Sequence, residues 1–418
     1  MHYRDKKKAI VILGAGHQQI PAISRAHFLG YNVVSPDLNP SAVGLKMVEY
    51  PLPGIDTHDP EAIISEIKKL MSDGVNVAGI IAMAVEASHS VSIVANGFGF
   101  KAVSIDAATK SRNKFERLKC WKNAGVPCPE FGIAENIDDA IQVSERIGFP
   151  VVFKPIDLAG AQGVVIIKNS EQAHGWFHYT FSKNRSKILI EQYVEGSEHS
   201  SESLVHEGQI YTTGFSDRNY DTKFLYPPHL LENGDTTPTN LPKELYTKTI
   251  QTVEAAINAL GIEVGVAKGD IIVTKAGEPI MLEMAARVSG DYFAAYTAPL
   301  NNGTDIISAL IQQAVGDEVN MDYLKWKHNK GVALRYIWPQ PGEIVEIDGI
   351  QEAASLPGVK FIKWEPYWSE KNIDIGTVLT KPTSHGERVA SVLVSSETRS
   401  DAVKLADYIV EKIKIDTK

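Results

Sequence analysis

Two carboxylates and an arginine stand at hairpin spacing between residues 265 and 291. Asp270 and Glu283 lie on two short apolar runs joined by Lys-Ala-Gly-Glu, and Arg287 follows four residues later. We predict an antiparallel hairpin that places the two carboxylates side by side. Adjacent carboxylates repel unless a cation lies between them, so the pair predicts a Mg²⁺ site, which Mn²⁺ would also suit. Mg²⁺ held in this way usually binds substrate phosphates as well, and an arginine nearby offers a fork for phosphate or carboxylate. The alternative interpretation is a surface hairpin with solvated charges.

Three further features precede this hairpin in the chain. Lys154 ends a short apolar run and is followed by a loop containing glycine, residues 159–163. A second apolar run leads into a turn at residues 191–196, and a helical pattern begins at Lys114. A lysine that interrupts an apolar strand is hard to explain as a solvated side chain, so Lys154 is a candidate functional residue.

Residues 9–105 alternate apolar strands with amphipathic helices. The predicted strands are 9–13, 31–35 and 77–83, and the predicted helices are 18–29, 61–71 and 87–96. This alternation predicts a parallel sheet. The turn Gly14-Ala-Gly16 follows the first strand and Asp37 closes the second, as in dinucleotide-binding folds. However, Gln19 stands at the third glycine of G-x-G-x-x-G, so we predict a Rossmann-like domain without a bound dinucleotide.

The rest of the chain mixes short strands and helices. The predicted helices are Lys114–Asn123, 247–260, 304–315 and Arg399–Lys412, and the predicted strands are 151–154, 164–168, 188–196, 332–337, 344–347 and 388–395. Gly261 is a good helix cap after residue 260. We therefore predict an α/β protein with a first domain at residues 1–110, a central α+β domain at 111–330 and a small C-terminal α/β or β-rich cap at 331–418.

Size and composition argue against a nucleic-acid-binding or membrane-spanning protein. The chain has 418 residues, enough for two or three domains, with 44% hydrophobic and 22% charged residues. A net charge of −9 argues against a nucleic-acid partner. Cys120 and Cys128 have no metal-ligand spacing and are predicted to be reduced thiols. The longest apolar stretch, residues 75–85, is too short to span a membrane, so we expect a cytoplasmic protein.

The order of these features resembles the ATP-grasp superfamily of ATP-dependent carboxylate ligases. The resemblance covers nearly the whole chain and is strongest from Lys154 to Gly290. It implies a Rossmann-like first domain, a two-lobed α+β ATP-grasp domain that holds ATP between its lobes, and a small C-terminal domain carrying His385-Gly-Glu-Arg388. It also makes a homodimer plausible.

The resemblance implies a set of nucleotide-binding residues. Lys114 and Lys154 would neutralise the phosphates of ATP, and the loop with Gly160, Gln162 and Gly163 would fold over the triphosphate. The hinge would read adenine, and the acidic residue that follows it would accept the ribose hydroxyls. The hinge residues are Glu191, Gln192 and Val194, the ribose acceptor is Glu198, and Lys223 lies in a stretch that shapes the pocket.

The resemblance also implies metal and substrate residues. Asp270 and Glu283 correspond to the metal carboxylates, although many relatives have Glu at the first position and Asn where Ala285 stands. Arg287 would stabilise charge on the transferred phosphoryl group. The remaining substrate candidates are the anion-binding turn Ser289-Gly290, together with Lys268, His229 and Glu232.

The leading hypothesis is a ligase that couples a small carboxylate to an amine with release of ADP and phosphate. A second hypothesis within the same superfamily is a bicarbonate-activating enzyme of the carboxylase or carbamoyl-phosphate type. A third, from another class, is a nucleotide-binding oxidoreductase that uses Gly14-Ala-Gly16 and Asp37. Gln19 and the lack of an obvious hydride-transfer site count against the third.

Overall fold

The N-terminal region is a parallel sheet flanked by helices. The computed structural model describes residues 7–156, 160–184, 187–221, 226–338, 340–363 and 373–418. The strands are β1 (Lys8–Leu13), β2 (Asn32–Asp37), β3 (Tyr50–Pro53) and β4 (Asn76–Ala82), in the order β3-β2-β1-β4, and the helices are α1 (Ile20–Phe28), α2 (Pro60–Ser72) and α3 (Ser88–Phe98). The predicted parallel sheet is confirmed. The edge strand β3 was not predicted, because its sequence Tyr-Pro-Leu-Pro fits only an edge, where the missing N–H groups are tolerated.

Helices α4 (Ile105–Arg112) and α5 (Lys114–Asn123) lead into the central region. Asn113 separates them, and its side-chain oxygen accepts hydrogen bonds from the backbone N–H groups of Phe115 and Glu116. This N-cap explains why α5 begins at the predicted residue. It also places Lys114 and Arg117 on one helical face, since residues three apart are neighbours on a helix.

A four-stranded antiparallel sheet forms the smaller central lobe. It consists of β5 (Phe131–Ala134), β6 (Val151–Pro155), β7 (Val165–Ile167) and β8 (Ile188–Gln192), in the order β5-β8-β6-β7. Helices α6 (Ile137–Ile147) and α7 (Ser170–Asn184) contact β5, β6 and β7. Phe153 is fully buried in the core of this lobe.

An eight-stranded sheet runs through the larger lobe into the C-terminal region. Five of its strands are β9 (Gly196–His206), β10 (Gln209–Arg218), β11 (Asp235–Thr237), β12 (Gly265–Thr274) and the edge strand β13 (Pro279–Ala285), accompanied by α8 (Lys243–Leu260), α9 (Ala298–Asn302) and α10 (Ile306–Ala314). Strands β9 and β10 were not predicted, because β9 is rich in serine and glutamate. Helix α8 begins four residues before its predicted start because Pro242 stands at its N-cap, and it ends at the predicted cap, Gly261, with a φ of 71°.

The C-terminal region adds three strands to the same sheet and forms a separate three-stranded sheet. Its elements are β14 (Gly331–Ile337), β15 (Gly342–Asp348), α11 (Ile350–Ala354), β16 (Val359–Lys363), β17 (Val378–Leu379), β18 (Ala390–Ser396), α12 (Arg399–Lys412) and β19 (Lys414–Thr417). The eight strands follow the order β13-β12-β9-β10-β11-β14-β18-β16. Because β14 pairs with β11, the C-terminal region is joined to the larger lobe by backbone hydrogen bonds. The mixed α/β fold with several sheets agrees with the predicted class.

The hydrophobic core links the N-terminal sheet to the larger lobe. One buried cluster contains Ile12 and Ile81 from the N-terminal strands together with Leu204 of β9 and Ile307 of α10. The N-terminal sheet and the larger lobe therefore share one hydrophobic core. Over the described residues, every helix falls short of the length and apolarity that crossing a membrane requires.

Candidate functional site

The predicted carboxylate pair forms on the hairpin of β12 and β13. Asp270 lies directly opposite Glu283 in the antiparallel register, and a bulge follows Asp270. The Asp270 side chain is buried, whereas 43% of the Glu283 side chain is exposed. The prediction that the hairpin places these carboxylates side by side is confirmed.

Asp270 is surrounded by hydrogen-bond donors and cations. Ser200 on β9 donates a hydrogen bond of 2.7 Å to Asp270 Oδ1, and Arg218 Nη1 lies 3.2 Å from the same oxygen. Lys268 Nζ forms an ion pair with Oδ2. Burial alone would raise the pKa of Asp270, but Arg218 and Lys268 outweigh it and hold the pKa well below its usual range. Asp270 is therefore an ionised carboxylate at neutral pH.

Glu283 faces two cationic side chains of α5. Arg117 Nη2 lies 3.9 Å from Glu283 Oε1. Burial opposes ionisation of Glu283, but Arg117 and Lys114 prevail and lower its pKa to about 2. Burial also lowers the pKa of Lys114, and its Nζ donates to the Ile156 carbonyl at 3.4 Å. The hairpin thus presents two ionised carboxylates within a shell of positive charge.

Lys154 and Glu191 lie on the neighbouring strands β6 and β8 of the smaller lobe. Their side chains form an ion pair, and Glu191 is 1% exposed. Glu191 Oε1 has no hydrogen-bond partner among the described residues. A buried carboxylate with an unused oxygen fits a site that gains a further donor from a ligand.

The hinge after β8 is partly held by the protein itself. The Gln192 N–H donates to the Glu130 carbonyl at 2.7 Å, and the Tyr193 N–H donates to the Pro150 carbonyl at 3.1 Å. These two N–H groups already donate to carbonyls of the protein. An adenine ring at the hinge would therefore have to form its hydrogen bonds with other backbone groups, such as those of Val194.

The glycine loop has an unusual backbone. Gly160, Ala161 and Gly163 adopt φ values of 69°, 59° and 71°. The Val164 N–H donates to the Ala161 carbonyl, and Thr180 Oγ1 donates to the Gly163 carbonyl at 2.9 Å. Successive left-handed residues turn backbone N–H groups toward one side, as in anion-binding nests. Gln162 lies in this turn, and residues 157–159 fall outside the described ranges.

Arg287 lies where the larger lobe meets the N-terminal sheet. Its Nε is 3.3 Å from Glu86 Oε2, and its Nη1 donates to the Val288 carbonyl at 3.2 Å. Val288 pairs with Met83 in a parallel bridge just beyond β4. The C-terminal edge of the N-terminal sheet therefore contributes to the site, as is common in parallel α/β sheets.

The turn at Ser289 and Gly290 is anchored by a buried glutamate. The Ser289 N–H donates a hydrogen bond of 2.9 Å to Glu202 Oε1, and Glu202 is fully buried on β9. Burial raises the pKa of Glu202 to about 7, although the bond from Ser289 and the nearby Arg287 lower it. A Cβ at Gly290 would lie 2.4 Å from Gln18 Oε1, so only glycine fits here without movement.

The other predicted residues lie farther from the carboxylate pair or make other contacts. The His229 ring packs edge-on against Trp176 and Tyr179 of the smaller lobe. Glu232 is buried and accepts two hydrogen bonds from Arg218. Glu198 lies near the start of β9, and Lys223 falls outside the described residues.

The fold brings five residues to the site that were not among the predicted site residues. They are Glu86, Arg117, Ser200, Glu202 and Arg218. The available signal was the run His199-Ser-Ser-Glu-Ser203, which is polar yet lies within a central strand and is buried throughout. Polar residues are rarely buried unless they are hydrogen-bonded or functional, but the burial itself is visible only in the fold.

The donor set suits Mg²⁺ held by two carboxylates rather than a cage formed entirely by protein. Within the ranges that the structure describes, no group of three or more histidine, cysteine, aspartate or glutamate residues could hold a metal ion. Mg²⁺ binds through one or two carboxylates and fills its octahedron with water and phosphate oxygens. Glu283, with an exposed face opposite Asp270, offers the more accessible oxygens of the pair.

The dinucleotide alternative meets a steric obstacle. The Gln19 side chain lies across the first turn, with its Cδ 3.1 Å from the position of a Cβ on Gly14. Its Nε2 donates to the Met83 carbonyl at 2.7 Å, and Asp37 accepts from the Ala15 N–H. The turn that would bind a pyrophosphate is therefore covered by Gln19, and the Asp37 carboxylate that would bind a ribose already accepts a hydrogen bond from the protein.

Two family models and several known proteins are similar to this chain. Residues 111–291 match the family model "ATP-grasp domain", and residues 335–418 match "L-amino acid ligase C-terminal domain 2". The chain is 24% identical over 364 residues to "Uncharacterized protein y4rH" of Sinorhizobium fredii, covering 86% of this chain and 72% of that one. It is 25% identical to the alanine–anticapsin ligase of Bacillus subtilis, covering 46% of this chain and 44% of that one.

A solved structure of an L-amino acid ligase from Bacillus licheniformis superposes with a TM-score of 0.82 at 19% identity, covering 99% of both chains. At that identity the similarity establishes the fold. The alignments span about half the length of the curated phosphoribosylamine–glycine ligases that the chain matches, 55% and 54%.

Proposed function

We propose that this chain, in which residues 111–291 match an ATP-grasp domain and residues 335–418 match the C-terminal domain 2 of L-amino acid ligases, is an ADP-forming carbon–nitrogen ligase. It activates a small carboxylate as an acyl phosphate and couples it to an amine. The observation that carries the proposal is the Asp270–Glu283 pair, with Arg287 beyond it and Lys154 on the sheet of the smaller lobe. These are the charges that phosphoryl transfer to a carboxylate requires.

ATP would bind between the sheet of the smaller lobe and the β12–β13 hairpin. Lys114 and Lys154 supply positive charge on this side, and the left-handed turn at Gly160–Gly163 supplies backbone N–H groups. Lys154 now shares its charge with Glu191, whose second oxygen has no partner in the described structure. On nucleotide binding, Lys154 would share its ammonium between Glu191 and a phosphate, as a flexible point charge can.

Mg²⁺ would be held by Asp270 and Glu283, and Mn²⁺ would suit the same oxygens. When bound, the metal offsets the negative charge of the phosphates and orients them. The chain's own part is to keep both carboxylates ionised. Arg218 and Lys268 lower the pKa of Asp270, and Arg117 lowers the pKa of Glu283, so both remain ionised.

The reaction has two steps. A carboxylate oxygen of the substrate forms a bond to the γ-phosphorus while the bond from that phosphorus to the bridging oxygen breaks, and ADP leaves. The amine nitrogen then bonds to the acyl carbon, the bond from that carbon to the phosphate oxygen breaks, and the nitrogen loses a proton to solvent. Arg287 lies where it can stabilise charge on the transferred group, and Ser289-Gly290 with Lys268 would orient the carboxylate.

ADP release from Mg-ATP tests the proposal. Amino acids and small carboxylates are supplied singly, in pairs and with bicarbonate, and ADP is followed by a coupled assay. ADP that requires a carboxylate and an amine together supports the ligase. ADP that requires bicarbonate instead favours the bicarbonate-activating alternative, and ATP binding without any ADP contradicts the ligase reaction for the compounds supplied.

A matched pair of variants tests the metal site. Glu283→Gln removes the negative charge of one metal ligand. It should lower turnover at least about a hundredfold, because losing a ligand costs more activity than losing a residue that only supports a ligand. Glu278→Gln is the control, because Glu278 lies on the same hairpin but is exposed and pairs with Lys248 at the surface. A fully active Glu283→Gln variant would contradict the assignment.

A further inference from the structure

We propose that Arg388 of the C-terminal region is a positioning residue for the active site, an inference that rests on the ligase function proposed above. It holds the turn at Ser289–Asp291 on one side. On the other side it acts through Glu232 and Arg218 on the carboxylate of Asp270. The C-terminal region thereby completes a site whose binding residues all come from the two preceding regions.

The Arg388 guanidinium is enclosed between carboxylates and an aromatic ring. Its side chain is 4% exposed, and its Cζ lies 3.6 Å from the ring centroid of Tyr336 on β14. Nη1 lies 3.1 Å from Asp291 Oδ2, and Nη2 lies 3.5 Å from Glu232 Oε2. A buried guanidinium is costly to desolvate, so its position is set by the two carboxylates and the ring that offset that cost.

From Glu232 the charges alternate in sign up to the hairpin. Arg218 donates two hydrogen bonds to Glu232, of 3.0 and 2.7 Å, and its Nη1 lies 3.2 Å from Asp270 Oδ1. Asp270 also pairs with Lys268. Each charge lies between opposite charges in a buried setting, so displacing one member moves its neighbours. Removing Arg388 leaves Glu232 with excess negative charge and draws Arg218 toward it, away from Asp270.

The other carboxylate, Asp291, belongs to a strained turn. Asp291 and Tyr292 have φ values of 51° and 65°, which residues with a side chain rarely adopt. Such backbone persists only where the surroundings hold it. Arg388 holds the Asp291 carboxylate, and the Asp291 N–H points toward Gln18 Oε1 of the N-terminal region at 3.4 Å. This turn directly follows Arg287, so its geometry decides where Ser289 and Gly290 meet a substrate.

The segment that carries Arg388 also contacts the glycine loop. The His385 N–H donates to the Gly160 carbonyl at 3.3 Å, and His385 Nε2 accepts from the Glu232 N–H at 3.2 Å. Residues 385–388 therefore contact the glycine loop at Gly160, the charge network at Glu232 and the turn at Asp291. The His385-Gly-Glu-Arg388 motif contains none of the predicted nucleotide-binding or metal-binding residues, and this placement gives it a role in the site.

The test compares Arg388→Met with Arg335→Met in the full-length chain. Arg335 is a matched control because it is 5% exposed on β14 and contacts Asp407 and Thr236 rather than Glu232 or Asp291. Three quantities are measured. They are the kcat and KM of ADP release, Mn²⁺ binding by electron paramagnetic resonance with a non-hydrolysable ATP analogue, and amide hydrogen exchange of the peptide spanning residues 287–292.

Arg388→Met should weaken Mn²⁺ binding and lower kcat/KM by about tenfold to a hundredfold, the usual effect of losing a residue that supports metal ligands. Exchange in the 287–292 peptide should accelerate. Arg335→Met should leave all three readouts unchanged even where it lowers thermal stability equally. Equal effects of both variants on Mn²⁺ binding and exchange would overturn the proposal.

Two further variants keep the test decisive if Arg388→Met does not fold. Glu232→Gln breaks the same network from its centre and should weaken Mn²⁺ binding, whereas Arg388→Lys keeps the charge and should retain part of it. Unchanged Mn²⁺ binding in Glu232→Gln would refute the role of the network. Mn²⁺ binding and amide hydrogen exchange can be measured without turnover. A wild-type chain that releases no ADP would therefore contradict the ligase proposal but not the role of Arg388. Changed Mn²⁺ binding in the variants would still support that role.

Discussion

Glu202→Gln should stabilise this protein in alkaline but not in acidic solution. Glu202 is fully buried, and burial raises its pKa from 4.5 to about 7. The folded protein therefore holds this proton more tightly than the unfolded chain does. The stabilising contribution of the protonated group is fully present below the unfolded pKa and is lost as the pH rises through the folded one. Glutamine keeps an acceptor for the Ser289 N–H and cannot ionise.

The size of the effect follows from the two pKa values. Ionising Glu202 lowers the free energy of unfolding by about 1 kcal/mol at about pH 5 and by about 3 kcal/mol at about pH 8. The free-energy difference between Glu202→Gln and the wild type should therefore grow by about 2 kcal/mol across this range. Other titrating groups are common to both proteins and cancel in the comparison.

Urea unfolding at several pH values, followed by tryptophan fluorescence and circular dichroism, measures this difference. Glu244→Gln is the control, since Glu244 is exposed in the first turn of α8. Its effect on the unfolding midpoint should not change with pH. A stability difference between Glu202→Gln and the wild type that stays constant from acidic to alkaline solution would refute the argument that burial sets the pKa of Glu202.

Three other substitutions have expected outcomes. Lys154→Met should weaken ATP binding at least about tenfold in calorimetry, because it removes a phosphate partner and leaves Glu191 buried without its ion pair. Phe153→Ala should lower the free energy of unfolding by about 3–5 kcal/mol, because Phe153 is fully buried in the smaller lobe; chemical denaturation measures this loss. Gly290→Ala should reduce ADP release far more than it reduces the thermal midpoint, because its Cβ would displace Gln18 Oε1 from the substrate turn. Normal activity in Gly290→Ala would show that this turn does not need the close approach.

Features that depend on near neighbours in the chain could be predicted from the sequence. Helices α5 and α12 begin and end at the predicted residues, and each begins there because an N-cap, Asn113 or Thr398, accepts hydrogen bonds from the first backbone N–H groups. The hairpin that carries Asp270 and Glu283 follows from one turn between two apolar runs, although the bulge after Asp270, which places Glu283 rather than Leu282 opposite it, was not predicted. These signals are local, so they can be read without knowing how the chain folds.

The balance of charges in the site depends on long-range contacts that form only in the folded chain. Arg218, Glu232 and Arg388 are separated by up to 170 residues in the sequence, yet they form one network that reaches Asp270. No period or turn links these positions. They meet because β10 lies between β9 and β11, and β11 joins the C-terminal strands to the same sheet. Whether a charged side chain is solvated or buried beside a partner depends on such long-range pairing, and this burial sets the pKa values and the chemistry of the site.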